Sequence, residues 1–481
     1  MIPNWLLQRS LLTPERIALS FEEEQWTFKE ANDKAHILAK KLTANGVKPR
    51  SRVAIYAPSH PDIIWMMYAC MHLQCEMVLL NLRLTDKELA YQIDDAAVDF
   101  ILVEDLLVGK LPVNKVPSLT FNEIYTSHEE GFILANEWDD DQTMTIMYTS
   151  GTTGYPKGVR QTVGNHVSSA TSSVYNMGLV EDDCWLCTMP LFHISGFSML
   201  AKSLLHGVEI KLYPKFSVKE IVNELLAGTV TRMSVVSVTL ERIISELEAR
   251  NAKVSPKFLT MLAGGGPVPI DYLKRAEQLG LNVSQTYGMT ETSSQTATLS
   301  STDALRKLGS AGKALFFNQI RIDGAEKAFD QGEILIRGPH VTPGYIGRFS
   351  DKSSQENGWL HSGDIGYLDD EGYLYVVDRR SDLIISGGEN IYPAEIENVL
   401  VSHDAVREAG VCGVENEKWG QVPNAFVVLK ERVNVDELLA FCRGHLANYK
   451  VPHQIYIVSE LPRNGSNKLL RRKLKELLNK E

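Results

Sequence analysis

The segment from Tyr148 to Gly158 combines three glycines with the hydroxyls of Thr149, Ser150, Thr152 and Thr153, and ends on Lys157. Glycines let a backbone approach an anion closely, so that amide hydrogens surround its oxygens. The hydroxyls add donors and Lys157 adds a point charge, which is the chemistry of a phosphate-binding loop. An apolar strand, Met144 to Tyr148, delivers the chain into it. The pattern is not a Walker A loop, because Gly158 follows the lysine where Ser or Thr is required. By composition alone a mobile surface loop reads the same way.

Four further segments carry polar chemistry. The apolar stretch Phe258 to Leu262 runs into Gly264, Gly265, Gly266 and Pro267, which suits close approach of a flat ligand to the backbone; a tight turn is the competing reading. Gln285, Thr286, Tyr287, Gly288, Met289, Thr290 and Glu291 follow. There Tyr287 suits stacking on a base, Thr290 a phosphate contact and Glu291 a Mg²⁺ ion, which takes one or two carboxylates plus phosphate oxygens. An ordinary helix N-terminus would look similar. Asp364, in Ser-Gly-Asp, and Arg379 suit the hydroxyls of a ribose, although turn chemistry explains the first equally well. Lys468 stands on a Gly/Asn/Ser loop before a basic stretch expected to be helical from Leu469 to Leu478. A lysine there reaches into a cleft on a long stem; the alternative is a solvated tail.

The elements that must position these residues alternate. Thr27 and Glu30 form a capping box, and Phe28, Ala31, Ala35, Leu38 and Leu42 then recur at helical spacing until Gly46. Val53 to Ala57 predicts a buried strand, Thr85 and Glu88 a second capping box, and Phe100 to Val103 another strand. This alternation predicts layered α/β architecture with largely parallel strands. The tail predicts a helix over 394–402, strands over 409–413 and 425–429, a helix over 435–447 and a strand over 454–458. That makes a compact α+β unit of roughly 100 residues. The boundary is placed at 378–382.

Composition bounds the function. Sixty acidic and 49 basic side chains leave a net charge of −11, which argues against nucleic-acid binding. Six cysteines are too few for a disulfide scaffold, and Cys184 with Cys187 reads as two core thiols. No signal peptide and no run of about 18 apolar residues is seen, so a cytoplasmic protein is expected.

Taken together and in this order, the five motifs resemble the adenylate-forming enzymes: acyl-CoA synthetases, peptide-synthetase adenylation domains and luciferases. The resemblance spans essentially the whole chain. The stretches Pro3–Leu6, Met147–Gly154, Pro190–Gly196, Asp378–Pro393 and Pro462–Arg471 narrow it to an acid–CoA ligase branch. It implies a large N-terminal region of stacked α/β subdomains (1–378), a hinge (379–381) and a small mobile α+β C-terminal domain (382–481). It implies ATP, Mg²⁺ and CoA, with a small carboxylic acid as the remaining substrate. Thr149 to Lys157 would hold the ATP phosphates and Glu291 the metal. Gly264 to Pro267 and Gln285 to Tyr287 would line the adenine and acyl sites. Asp364 and Arg379 would hold the ribose, and Gly387 and Gly388 would flank a pantetheine tunnel. Lys468 would bridge the attacking carboxylate and the α-phosphate, and His193 would sit at the acyl pocket or its thiol entrance.

Two positions depart from the family pattern. The hinge residue, usually Asp or Lys, is Ser381, and the usual Ser-Gly-Lys reads Ser466-Asn467-Lys468. Asparagine tolerates left-handed backbone better than most residues, so the loop shape is expected to survive. A ligase for another aryl or fatty acid, a carrier-protein-loading domain and a catalytically silent nucleotide sensor are the competing readings. Retention of Lys157, Glu291, Asp364 and Lys468 weighs against the last. The order of association into oligomers is left open, and Ser234–Thr239 is a candidate pocket wall.

Overall fold

The structure is a computed structural model that describes residues 1–481 except 113–114, 150–154, 267, 352, 354, 380–381, 387–388, 417–418, 447, 465–466 and 480–481. Two large sheets lie against a shared core. The first has seven strands. Thr143–Thr149, Glu76–Leu79, Arg52–Tyr56, Phe100–Val103 and Ser118–Thr120 run parallel, and Lys157–Thr162 and Gly344–Tyr345 add an antiparallel edge. The second has nine strands, six of them parallel at its centre, including Cys184–Cys187, Arg232–Val235, Thr260–Ala263 and Val283–Tyr287.

Parallel strands covered on both faces read as unbroken apolar runs, and Val53, Ala54, Ile55 and Tyr56 are all buried. The helix Pro61–His72 is buried at every residue but Asp62. One continuous core joins it to side chains of both sheets, from Ile55 and Met77 in the first to Trp185, Ile210 and Leu262 in the second. Both expected capping boxes form: Thr27 opens Phe28–Ala44 and Thr85 opens Asp86–Asp95, each closed reciprocally by the glutamate three residues on. Cys184 and Cys187 are buried strand residues, and all six cysteines are free.

The expectation of largely parallel strands holds for the two large sheets only. A third sheet, built from Gln319–Ile322, Gly332–Arg337, Gln355–Glu356, Trp359–Leu368 and Leu374–Arg379, is wholly antiparallel. Within it Gln355–Glu356 with Trp359–Leu368, and Trp359–Leu368 with Leu374–Arg379, are hairpins turned at Gly358 and Gly372, both with positive φ, and short turns between neighbours enforce antiparallel pairing.

The chain passes from that sheet into a fourth between Arg379 and Ile384. There a long hairpin, Val406–Asn416 with Gly420–Leu429, pairs with Ile384–Ser386 and with Gln454–Ile457, and the helices Pro393–Val401 and Val435–His445 pack on it. The expected elements are all present, the two strands longer than expected. The last segment differs: it is a 3₁₀ helix, Arg471–Asn479, not a helix from Leu469. Leu469 and Leu474 instead pack over Gly410, whose missing side chain leaves room for both. Among the described residues no helix is long and apolar enough to cross a membrane.

Candidate active site

The site opens at the carboxyl ends of parallel strands, where α/β sheets form their crevices. Thr260–Ala263 and Val283–Tyr287 lie side by side, so the glycines that end the first stand beside the turn that ends the second. A side chain at 264 would meet Thr286 Cγ2 at 2.8 Å, and Gly265 has φ +81°, a conformation that favours glycine. Gly266 is exposed at the mouth. Gly288 is the tightest position of all, since a Cβ there would fall 1.6 Å from the Ser294 carbonyl oxygen.

Lys468 reaches this rim from the C-terminal unit. Its Cε lies 3.0 Å from where a Cβ of Gly265 would stand. The loop that carries it is held from within. Lys468 N donates to Asn464 Oδ1 (2.9 Å), Asn467 N donates to the Asn464 carbonyl (2.9 Å), and Arg463 donates to the Asn467 carbonyl (2.9 Å). Asn467 adopts φ +63°, the left-handed geometry expected of it.

Tyr287 does not stand free over the crevice. Its hydroxyl donates to Asp364 Oδ2 at 2.7 Å, which brings together residues from the second and third sheets. Asp364 and Arg379 are cross-strand partners in register. Gln285 is buried and its Nε2 has no partner among the described residues. Thr286 turns its hydroxyl to the Ala297 carbonyl and to Thr298.

The phosphate end is framed by Thr149 and Lys157, directly opposed across their strands. Lys157 Nζ lies 5.1 Å from the Tyr345 ring and 5.6 Å from that of Phe349. The Tyr345 hydroxyl faces Glu291 Oε1 at 3.5 Å, so cation and carboxylate share one aromatic partner. A relay buried beneath holds the Thr290–Glu291 turn. Thr145 donates to Gln161 Oε1 (2.7 Å), so its oxygen must accept from His166 Nε2 (2.8 Å). Burial drives the His166 pKa down to about 3, so the ring is neutral and Nε2 carries its proton. Gln161 Nε2 then donates to the Thr290 carbonyl at 2.8 Å. Among the described residues no group of three or more His, Cys, Asp or Glu is placed to hold a metal. A lone carboxylate beside a hydroxyl fits an ion that takes its other ligands from phosphate and water.

Between these ends lies an open cleft lined by His193, Ser198, Val236, Gly264, Gly288, Met289, Thr290 and Lys468. Its mix of apolar side chains and a few polar groups suits a small organic ligand. Ser234, Val235 and Val236 form part of its wall, as expected. His193 is the N-cap of the helix Ile194–His206, and its Nε2 has no partner among the described residues. Burial, with Lys468 and Arg83 nearby, pushes its pKa down to about 4, so it is a neutral ring.

A buried polar residue that lines the cleft, Lys202, escaped the sequence reading. It donates to Gln295 Oε1 at 2.9 Å and lies 4.8 Å from the Trp185 ring. Gln295 is in turn held by Thr298 at 3.0 Å. Burial, with the Arg232 charge nearby, drives the Lys202 pKa down to about 7. The available signal was one charge among thirteen otherwise uncharged helix residues, since lysine is rarely buried without a partner. Ser150, Gly151, Thr152, Thr153, Gly154, Pro267, Ser381, Gly387 and Gly388 lie outside the described residues, and of Arg379 only the backbone is described.

The family model for AMP-binding enzymes matches residues 7–346, and that for the AMP-binding enzyme C-terminal domain matches residues 395–468. A 2-succinylbenzoate–CoA ligase of Geobacillus kaustophilus is 49% identical, covering 100% of this chain and 98% of that protein. The o-succinylbenzoate CoA synthetase of Bacillus subtilis in complex with ATP and magnesium superposes with a TM-score of 0.92 at 44% identity, over 98% of this chain and 99% of that one. A double mutant of the same enzyme bound to its product analogue OSB-NCoA superposes at 0.76, with 44% identity and 98% coverage of both chains.

Proposed function

The chain belongs to the AMP-binding enzyme family, and from this we infer that it converts 2-succinylbenzoate, ATP and CoA into 2-succinylbenzoyl-CoA, AMP and diphosphate in menaquinone biosynthesis. The observation that carries the choice of acid is Lys202. The cleft is lined by Lys468, by His193 and by the buried amine of Lys202. A diacid can present one carboxylate for activation and the other to Lys202. A fatty acid would set hydrocarbon against that amine and offer it no counter-charge to offset its desolvation.

A carboxylate is a poor electrophile until its oxygen becomes a better leaving group. Its attack on the α-phosphorus of ATP forms a mixed anhydride and expels diphosphate. Negative charge gathers there, and fixed cations are most effective where charge develops. Lys157 and Lys468 supply them, with Asp364 and Tyr287 positioned for the ribose and purine. Glu291 would hold Mg²⁺, which neutralises phosphate charge when bound. The thiol of CoA then attacks the acyl carbonyl and AMP leaves. His193, a neutral ring whose Nε2 has no partner among the described residues, is suited to accept the thiol proton at that nitrogen.

The small C-terminal domain is read as starting after a hinge at 379–381, with Lys468 withdrawn and Gly387–Gly388 presented for the second step. The higher overlap with the ATP complex than with the product-analogue complex supports reading the present arrangement as the adenylating one. Six unpaired thiols fit a reducing cytoplasm.

A panel of acids tests the substrate: 2-succinylbenzoate, benzoate and a medium-chain fatty acid, each with ATP and CoA. Diphosphate release should be fastest with 2-succinylbenzoate. Preference for either monoacid would refute the assignment.

A further inference from the structure

Arg83 lies in the loop between the strand Glu76–Leu79 and the helix Asp86–Asp95, remote in sequence from the motifs described above. Its Nη1 donates to the Asn464 carbonyl at 3.3 Å, across 381 residues of chain. That carbonyl is the one that already accepts from Asn467 N at 2.9 Å, and Asn464 Oδ1 accepts from Lys468 N. Arg83 therefore grips the residue around which the Lys468 loop is wound. Its charge is also felt at His193, which places it beside the mouth of the cleft.

The helix that follows strengthens the contact. Glu88, in its first turn, sits in the field of Lys473 and Arg472, so opposite charges face each other just beyond the loop. Within the C-terminal unit the loop is anchored by Arg463 to Glu408 at 2.6 Å, and the tail by Arg471 to Glu397 at 2.7 Å. The Lys468 loop thus moves with its own sheet, and Arg83 joins it to the other side of the cleft.

We propose that Arg83 is a positioning residue for adenylation: by clasping the Asn464 carbonyl it holds Lys468 at the rim of Gly265, and it plays no part in thioester formation. The proposal rests on the adenylating role of Lys468 given above. A hydrogen bond from a charged donor is stronger than a neutral one, yet this one is exposed, so a moderate effect is expected.

Two half-reactions separate the roles. Single-turnover diphosphate release and thioester formation from supplied acyl-adenylate and CoA are measured for the parent chain, Arg83→Ala and Arg83→Lys. Arg83→Ala should slow the first about tenfold and leave the second within about twofold. Arg83→Lys should recover part of the loss, because an ammonium still donates to a carbonyl. Equal slowing of both steps, or no slowing of the first, overturns the proposal. Amide exchange of a peptide spanning Asn464 and Lys468, read without any acid present, should be faster in Arg83→Ala; unchanged exchange also overturns it. If the parent ignores 2-succinylbenzoate while the exchange difference persists, the substrate assignment fails and the clasp stands.

Discussion

Lys468 and Lys202 line one cleft and differ in burial, the first exposed and the second buried. Lys468 is exposed on a loop, so its removal should leave stability nearly unchanged and act on the transition state. Lys468→Ala should lower adenylate formation about 10²–10³-fold and spare thioester formation from supplied adenylate, as rapid-quench measurement of each step would report. Lys202 is buried, and burial disfavours its charged form, so its pKa lies near 7 instead of above 10. Below about pH 7 it is charged and, under the proposed function, pairs with the second carboxylate; above, it loses that charge. The KM for 2-succinylbenzoate should therefore rise by up to about tenfold per unit above pH 7. The KM for benzoate should not follow it. The lowered pKa also means that the unfolded chain binds this proton more readily between about pH 7 and 10, so the group costs stability at neutral pH. Lys202→Met should raise the melting temperature while weakening diacid binding, and a lowered melting temperature would show that the ammonium is better paired than burial suggests.

At the scale of elements, the phosphate end depends on what lies under it. The strand Lys157–Thr162 gives Lys157, at its start, to the phosphate end and Gln161, four residues on along the same face, to the buried relay. Asn165, at the start of the next helix, donates to the carbonyls of Pro339 and Val341, and Thr342 N donates to the Glu291 carbonyl. The Thr290–Glu291 turn is thus held by backbone contacts from two directions. Gln161→Leu would take one hydrogen bond from the Thr145 hydroxyl, leaving it His166, and one from the Thr290 carbonyl, leaving it Ser293 N. It should cost about 1–3 kcal/mol in denaturant unfolding and raise the KM for magnesium ATP. At the opposite rim, Gly265→Ala would place a methyl in a left-handed position against the Lys468 stem. It should slow adenylation more than thioester formation.

At the scale of the whole molecule, the proposed two-step reaction asks that Lys468, carried on a loop of the C-terminal unit, be able to withdraw from the cleft. The chain leaves the third sheet at Arg379 and enters the fourth at Ile384, and Ser381 lies in that passage. Proline fixes φ and removes a donor. Ser381→Pro should therefore leave diphosphate release near the parent rate and suppress transfer to CoA, read by trapping the accumulated adenylate. Loss of both steps together would place the pivot elsewhere.

Local structure was legible because its causes are local. Thr27 with Glu30 and Thr85 with Glu88 announce two helices through hydrogen bonds spanning three residues, and both form. Unbroken apolar runs such as Phe100–Val103 announce strands covered on both faces. The tail's order of elements followed from the same periodicities, while its last segment departed from helix because Leu469 and Leu474 answer to Gly410 on another strand. The chemical inventory was legible too, since glycine, hydroxyl and lysine in one loop have few uses. What the sequence could not decide is which distant groups meet. Lys202 bonds Gln295 across 93 residues and Arg83 bonds Asn464 across 381. Neither partner leaves a mark near the other, because a contact made by folding imposes no spacing on the chain. The types of residue set what chemistry was available; only the packing of the sheets decided that Lys202 would be buried beside Gln295 at the cleft and that Arg83 would meet Asn464 beside the Lys468 loop.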